Sequence, residues 1–120
     1  MVIDAISGHC YMLFVQAATW SAAEATCGAL GPGTHVATIA AVRENTLVRQ
    51  LAARRVWLGG TDVVVEGTWT WVDGAPFVYT NWASGEPNSD AFDCVEQIGN
   101  DPATWNEDDC NAPEAYVCEH

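Results

Sequence analysis

One segment decides how the rest of the chain is interpreted: Asn81-Trp-Ala-Ser-Gly-Glu-Pro-Asn-Ser-Asp90. It has neither the alternating apolar pattern of a strand nor the apolar spacing of a helix. A loop of this length inside a compact domain is usually functional. At its centre Glu86-Pro87-Asn88 places a carboxylate and a carboxamide on either side of a proline. A cis bond at that proline would turn both side chains to the same side of the loop, and cis bonds are largely a proline feature.

Two helices are predicted before this loop. The first begins at Ser21-Ala-Ala-Glu24, which has capping-box spacing, or at the rival cap Thr19. It runs to about Leu30 and stops at Gly31-Pro32-Gly33. Apolar residues at helical spacing predict the second helix over residues 41–53.

Short apolar runs separated by Gly, Asp, Asn and Pro predict the strands. The strand candidates are Cys10–Val15, Val56–Gly60, Thr68–Val72, Phe77–Tyr79, Cys94–Ile98 and Tyr116–Cys118. Helices followed by short strands and a polar loop predict an α+β fold. The length of 120 residues fits a single domain that spans residues 1–120.

The charge of the chain restricts its partners. Sixteen acidic residues against four arginines and no lysine give a net charge of −12, so nucleic acid and anionic lipid are poor partners. No apolar stretch approaches the roughly 18 residues of a membrane span. Between Glu86 and His120 there are ten acids and no lysine or arginine, and we expect this block to attract cations. Composition alone favours a merely solvated acidic surface.

The cysteines indicate an oxidising compartment. Five cysteines are many for a reduced cytosolic protein of this size, and they form no Cys-x-x-Cys pair. We therefore expect disulfides in a secreted or extracellular protein. Counting leaves one cysteine over and does not choose among the possible pairings.

A second oxygen-rich segment suggests a metal site. Asn106-Glu107-Asp108-Asp109 follows Trp105 directly. Calcium prefers roughly six to eight oxygen ligands from carboxylates, amides and water, and this segment could supply them together with Glu86 and Asn88. The alternative is that both segments are ordinary polar turns.

Several motifs, taken in order along nearly the whole chain, resemble the C-type lectin-like domain. They are Thr19-Trp20 with Ala22, Ala25 and Cys27; Trp57-Leu-Gly-Gly60; Gly67-Thr-Trp-Thr-Trp-Val-Asp-Gly74; Asn81-Trp82; Gly85-Glu-Pro-Asn88; Asp93-Cys-Val-Glu96; Trp105-Asn106; Cys110; and Tyr116-Val-Cys-Glu119. The resemblance implies two helices, short antiparallel strands, a long ligand-binding loop and two stabilising disulfides. The implied pairs are Cys27 with Cys118 and Cys94 with Cys110. Cys10 is left over, either inert or linking two chains.

The resemblance also implies a calcium-dependent lectin. In sugar-binding members of the family, Glu-Pro-Asn accompanies mannose-type ligands such as mannose, fucose and N-acetylglucosamine. Glu86, Asn88 and Asn106 match ligands shared by calcium and sugar, whereas Glu107 stands where the family usually has the shorter aspartate. Phe92 replaces a further acidic ligand.

Two consequences of the Phe92 replacement stay open. Asp90 could swing in to supply the missing carboxylate. The Phe92 ring could offer an apolar face to a sugar, or pack within the loop. An auxiliary calcium site is implied at Asp62, Glu66 and Asp93, although Ser89 stands where an acid is usual.

Three classes of function follow. The first is a calcium-dependent lectin that binds a carbohydrate or glycoprotein. Single lectin sites tend to be weak, so a homo-oligomer would raise their avidity. The second, suggested by Phe92 and Glu107, is a calcium-independent domain that binds a protein or a surface such as ice. An enzyme is not expected: His9, His35 and His120 lie outside the polar loop, and no hydrolase motif occurs.

Overall fold

A computed structural model describes residues 1–100 and 102–120 of the chain. Within these ranges it contains two helices and eight strands. The helices are α1 (Trp20–Ala29) and α2 (Val42–Ala52). The strands are β1 (Val2–Ile3), β2 (Cys10–Ala18), β3 (His35–Val36), β4 (Val56–Thr61), β5 (Thr70–Trp71), β6 (Cys94–Gln97), β7 (Trp105–Asp108) and β8 (Glu114–Glu119). The α+β fold with two helices and short strands is confirmed.

All eight strands belong to one sheet. Its main path runs β1-β2-β8-β4-β6-β7, while β3 pairs with β8 and β5 pairs with β4. β4 and β8 are parallel, whereas β6 is antiparallel to both β4 and β7. The loop of residues 81–90, called the acidic loop below, precedes β6 along the chain. The two strands that follow it, β6 and β7, lie at one edge of the sheet.

The helix α1 is fixed by its cap and by a disulfide. The Thr19 hydroxyl accepts a hydrogen bond from the Ala22 N–H at 3.2 Å, so Thr19, not Ser21, caps the helix. Cys27 on the buried side of α1 is bonded to Cys118 in β8. A second disulfide joins Cys94 to Cys110, so the two observed pairs are those that the resemblance implies.

Tryptophans form much of the core. Trp57, Trp71 and Trp105 are buried, and the Trp71 and Trp105 rings meet edge to face with centroids 5.5 Å apart. Trp82 packs edge-on against Trp105 at 5.8 Å, just before the acidic loop turns outward. This aromatic cluster gives the loop a rigid base.

One local prediction was wrong. Phe77–Tyr79 forms no strand in the described part of the chain, because its rings rather than ladder hydrogen bonds hold it: Phe77 stacks on Trp71 with centroids 4.5 Å apart. The alternative of an ordinary polar turn after Trp105 does not hold, because Trp105–Asp108 is strand β7, paired along its length with β6. Neither of the described helices has the length and apolar character that a membrane span requires.

Candidate functional site

The acidic loop is anchored to β7 at its start. The Trp105 N–H donates to the Asn81 carbonyl at 2.8 Å, and the Ala83 N–H donates to the Trp105 carbonyl at 2.8 Å. The Asn81 side chain donates to the Ala103 carbonyl at 2.9 Å. The Glu86–Pro87 peptide bond is cis. These contacts bring Glu86 and Asn88 over the strand that carries Glu107.

Glu107 is the centre of the contacts beneath the loop. Its Oε1 accepts hydrogen bonds from the backbone N–H groups of Asn88 and Ser89. Its own N–H donates to Glu86 Oε1 at 3.3 Å. The side chain is buried, and its second oxygen, Oε2, has no hydrogen-bond partner. The glutamate thus reaches the loop backbone with one oxygen and keeps the other free.

A second acidic group adjoins this one. Asp62, Glu66 and Asp93 each offer one carboxylate oxygen, and these oxygens lie within 4.8 Å of one another. Asp62 is fixed in place because its Oδ2 accepts from the Gly67 N–H at 2.8 Å and its N–H donates to the Asp93 carbonyl at 3.1 Å. Oδ1 of Asp62 and Oδ1 of Asp93 are buried without a partner.

A single cleft joins the two groups. It has a volume of about 140 Å³, and its walls include Asp62, Glu66, Asn88, Asp90 and Glu107. The Asp90 side chain is exposed to solvent at its edge. The cleft is therefore lined with oxygen atoms that can coordinate a metal ion, supplied by three separate segments of the chain.

The pKa values reflect the crowding of these acids. A hydrogen bond to Asp62, with burial and the nearby Asp93, raises the pKa of Glu66 to about 7. Burial, followed by the neighbouring Asp62 carboxylate, raises the pKa of Asp93. Burial also raises the pKa of Glu107, although the N–H groups of Asn88 and Ser89 oppose the shift. The cleft holds more negative charge than its own hydrogen bonds stabilise.

The donor set fits a hard cation. Buried carboxylate oxygens that lack hydrogen bonds are costly unless a proton or a metal satisfies them. The free oxygens of Asp62, Asp93 and Glu107 are of the type that calcium prefers. Of the residues predicted for calcium, Asn88, Asp90 and Glu107 line one part of the cleft, and Glu86 accepts a hydrogen bond from the Glu107 N–H beside them. The structure brings the auxiliary trio together beside them.

Two further predicted site residues, Asn106 and Phe92, do not line the cleft. The Asn106 amide donates to Glu96 Oε2 at 3.0 Å, on the face of β7 opposite to Glu107. Its side chain would have to turn to join Glu86 and Asn88. Phe92 is 39% exposed, which leaves its ring open to solvent.

Sequence reasoning missed one further acidic group. Glu96, Asp108 and Glu114 also bring one carboxylate oxygen each to within 4.8 Å of one another. A period-two pattern through β7 would have placed Asn106 and Asp108 on one face, had that segment been recognised as a strand. Glu114 gave no local signal, because it approaches the other two only through the pairing of the sheet.

The chain is similar to proteins of one family. The family model described as "Lectin C-type domain" matches residues 16–120. Lectin BRA-3 from Megabalanus rosa is 32% identical over 114 residues, which cover 92% of this chain and 70% of that protein. A type-2 ice-structuring protein from Brachyopsis segaliensis is 34% identical over 111 residues, covering 92% of this chain and 65% of that protein. The chain thus spans about two thirds of the length of these relatives.

A solved structure agrees with this assignment. The crystal structure of a calcium-independent type II antifreeze protein superposes with a TM-score of 0.86 at 31% sequence identity. The match covers 93% of this chain and 85% of that one. One fold is therefore shared by relatives whose names indicate different ligands.

Proposed function

This chain belongs to the C-type lectin domain family, and from that premise we propose that it is a calcium-dependent lectin for mannose-type sugars. Mannose, fucose and N-acetylglucosamine are the candidate ligands. The relative from Megabalanus rosa, itself named a lectin, supports carbohydrate as the ligand class. The Glu86-Pro87-Asn88 motif supports the mannose type.

One observation carries the calcium part of the proposal. Three buried carboxylate oxygens, Oδ1 of Asp62, Oδ1 of Asp93 and Oε2 of Glu107, have no hydrogen-bond partner. Asp62 and Glu107 line the same cleft, and Asp93 belongs to the acidic trio that includes Asp62. A hard cation would satisfy these oxygens and offset the repulsion among the acids.

The proposed ligands divide into two groups. Asp62, Glu66 and Asp93 would hold an auxiliary ion. Glu86, Asn88, Glu107 and Asp90 would hold the ion next to the sugar, joined by Asn106 after its side chain turns. Bound calcium supplies coordination positions that two neighbouring sugar hydroxyls can occupy.

The chain's own side chains would set the sugar preference. The Glu86 carboxylate accepts a hydrogen bond from a sugar hydroxyl, and the Asn88 amide donates to one. This pairing of one acceptor with one donor selects hydroxyls of matching geometry. Phe92, exposed in the same loop, would add apolar contact to a sugar ring.

We further infer a binding role rather than catalysis, in a domain that spans residues 1–120. Two disulfides fit a secreted or extracellular protein. Assembly of a homo-oligomer would raise the avidity of weak single sites. Cys10, unpaired and partly exposed in the described structure, could link two such chains.

The test is a calorimetric titration of calcium into chelator-stripped protein, followed by retention on immobilised mannose. We expect saturable calcium binding at millimolar concentration or tighter, and release from mannose by chelator. Asp109→Asn is the matched control, because Asp109 is exposed and outside the cleft. The absence of calcium binding, or retention on mannose that survives chelator, would contradict the proposal.

A second candidate rests on exposed apolar side chains. Val63, Val64 and Val65 form a consecutive run in which Val64 is 84% exposed, and Phe92 is exposed as well. Such a run suits a protein or a surface such as ice, and two of the similar proteins are named ice-structuring or antifreeze proteins. Activity on ice growth that persists in chelator and is lost in Val64→Asp would favour this candidate over the lectin.

A further inference from the structure

Three acids from three strands meet outside the cleft. They are Glu96 in β6, Asp108 in β7 and Glu114 at the start of β8. Asn106 lies opposite Glu96 in the ladder, and Asp108 follows two residues later, so Glu96 and Asp108 share a face of the sheet. Glu107, between Asn106 and Asp108, points to the other face. The trio is therefore separate from the cleft of the proposed lectin site.

The carboxylate of Glu114 is buried although no hydrogen-bond donor contacts it. The residue is only 8% exposed, and neither of its carboxylate oxygens has a hydrogen-bond partner. Glu96 is completely buried, and its Oε1 also lacks a partner. Each residue nonetheless directs one oxygen to within 4.8 Å of the others and of Asp108. Unsatisfied carboxylates at this depth call for a positive charge among them.

The neighbouring cation supplies only part of that charge. The Arg55 guanidinium donates to Glu96 Oε2, and the Asn106 amide donates to the same oxygen at 3.0 Å. Both contacts use Oε2, which leaves Glu96 Oε1 and the Glu114 oxygens free. Burial, together with the neighbouring carboxylates of Asp108 and Glu96, raises the pKa of Glu114 to about 10, so a cation bound here would displace its proton. With all three carboxylates ionised, the cluster and the single guanidinium carry a net charge of −2. One divalent cation would neutralise that charge.

We propose that Glu96, Asp108 and Glu114 form a structural binding site for a divalent cation that prefers oxygen ligands, with calcium as the probe. The ion would connect β6, β7 and β8 near the Cys94–Cys110 disulfide. Three carboxylates leave coordination positions for water, as hard cations commonly keep. The proposal stands whether or not the cleft binds calcium or sugar.

The test isolates this site from the cleft. A full-length cleft variant that carries Asp62→Asn, Asp93→Asn, Glu86→Gln and Glu107→Gln loses acidic ligands of both proposed cleft ions. After stripping with chelator, its calorimetric titration with calcium should still show one saturable site. Adding Glu114→Gln to that background should weaken this binding at least about tenfold, because a carboxylate ligand is replaced by a neutral amide. Asp109→Asn, which removes a neighbouring exposed charge, should leave the binding unchanged.

A second measurement keeps the proposal falsifiable if the cleft variant folds poorly. In the otherwise unchanged chain, Asp108→Asn or Glu114→Gln should lower the calcium stoichiometry by one while the other sites remain. An unchanged stoichiometry and affinity in both variants would overturn the proposal. So would the loss of all calcium binding in the folded cleft variant, since the cluster would then be neutralised by protons alone.

Discussion

The carboxylate of Glu107 accepts a hydrogen bond from the backbone N–H of Asn88 through one oxygen, while its other oxygen is buried without a partner. This arrangement explains how a glutamate fits where the family usually has the shorter aspartate. The extra methylene lets Oε1 reach the loop backbone, and Oε2 stays available to a cation. Glu107 therefore combines two tasks, holding the loop and supplying negative charge to the cleft.

Two substitutions separate these tasks. Glu107→Gln keeps an oxygen for the N–H groups of Asn88 and Ser89 but removes the charge, whereas Glu107→Ala removes both. We expect both variants to weaken calcium binding about tenfold, as ligand charge sets affinity. Only Glu107→Ala should speed hydrogen exchange at the Asn88 and Ser89 amides. Equal exchange in the two variants would show that Glu107 does not hold the loop.

Exchanging the acid and amide of the loop tests the sugar preference. Glu86→Gln with Asn88→Asp reverses which side of the proline carries the carboxylate. Retention on mannose should fall and retention on galactose should rise, because the donor and acceptor presented to the sugar hydroxyls change places. Calcium titration of the same variant serves as the control for an intact metal site. Unchanged mannose retention would count against the proposed lectin activity.

The pH dependence of calcium binding follows from Glu66. The pKa of Glu66 is raised to about 7, so protons compete with calcium for its carboxylate below that pH. For one such group, the dissociation constant at the auxiliary site should increase about tenfold from pH 8 to pH 6. Calorimetry at the two pH values measures this, and Glu66→Gln should abolish the dependence. An affinity equal at both pH values would refute it.

The core next to β3 tolerates no side chain at Gly59. An added Cβ there would lie 2.5 Å from the Val36 carbonyl oxygen and 2.8 Å from Val72 Cγ2. Since the carbonyl belongs to paired backbone, Gly59→Ala should lower the free energy of unfolding by about 1–3 kcal/mol. Gly28→Ala is the matched control, because no atom lies within 4 Å of its added Cβ and a helical position favours alanine. Urea denaturation should show loss in the first variant and none in the second.

Much of the fold could be predicted from local signals. The cap at Thr19 and the glycines after Leu30 bound α1 correctly, because capping and helix termination depend on neighbouring residues. The disulfide pairs, in contrast, could not be predicted from local signals. Counting five cysteines left the pairing open, and only the ordered resemblance to a family implied the observed pairs. That information lies in the motif order along the whole chain, which no local pattern contains.

The contacts of the site depend on strand pairing and sheet order, which the sequence does not show. Strand β7 is polar at Asn106, Glu107 and Asp108, so its sequence pattern is typical of a turn. The segment is a strand because it pairs with β6. The direction of the Asn106 amide follows from Glu96 across that pair. Glu114 reaches the same place from β8. Proximity among three strands is a property of the sheet order, which residue spacing alone does not determine.

The two disulfides should differ in what their removal changes. Cys27–Cys118 spans 91 residues and Cys94–Cys110 spans 16, so chain entropy predicts losses of about 4–5 and about 3 kcal/mol in the free energy of unfolding. The shorter bridge, however, lies next to Asp93 and fixes β6 beside the cleft. Replacing its cysteines with alanine should weaken calcium binding more than replacing the longer pair does.

Urea denaturation and calcium titration of the two double-alanine variants test both parts of this expectation. Cys10→Ser is the control: its thiol is unpaired in the described structure, so its stability should stay within about 0.5 kcal/mol of the parent chain. The expected result is that the two measurements rank the bridges in opposite order. Removing the longer bridge should cost more stability, and removing the shorter one should cost more calcium affinity. If one pair dominated both measurements, the shorter bridge would be no more than a general restraint on the chain, and the link between β6 and the calcium ligands would be wrong.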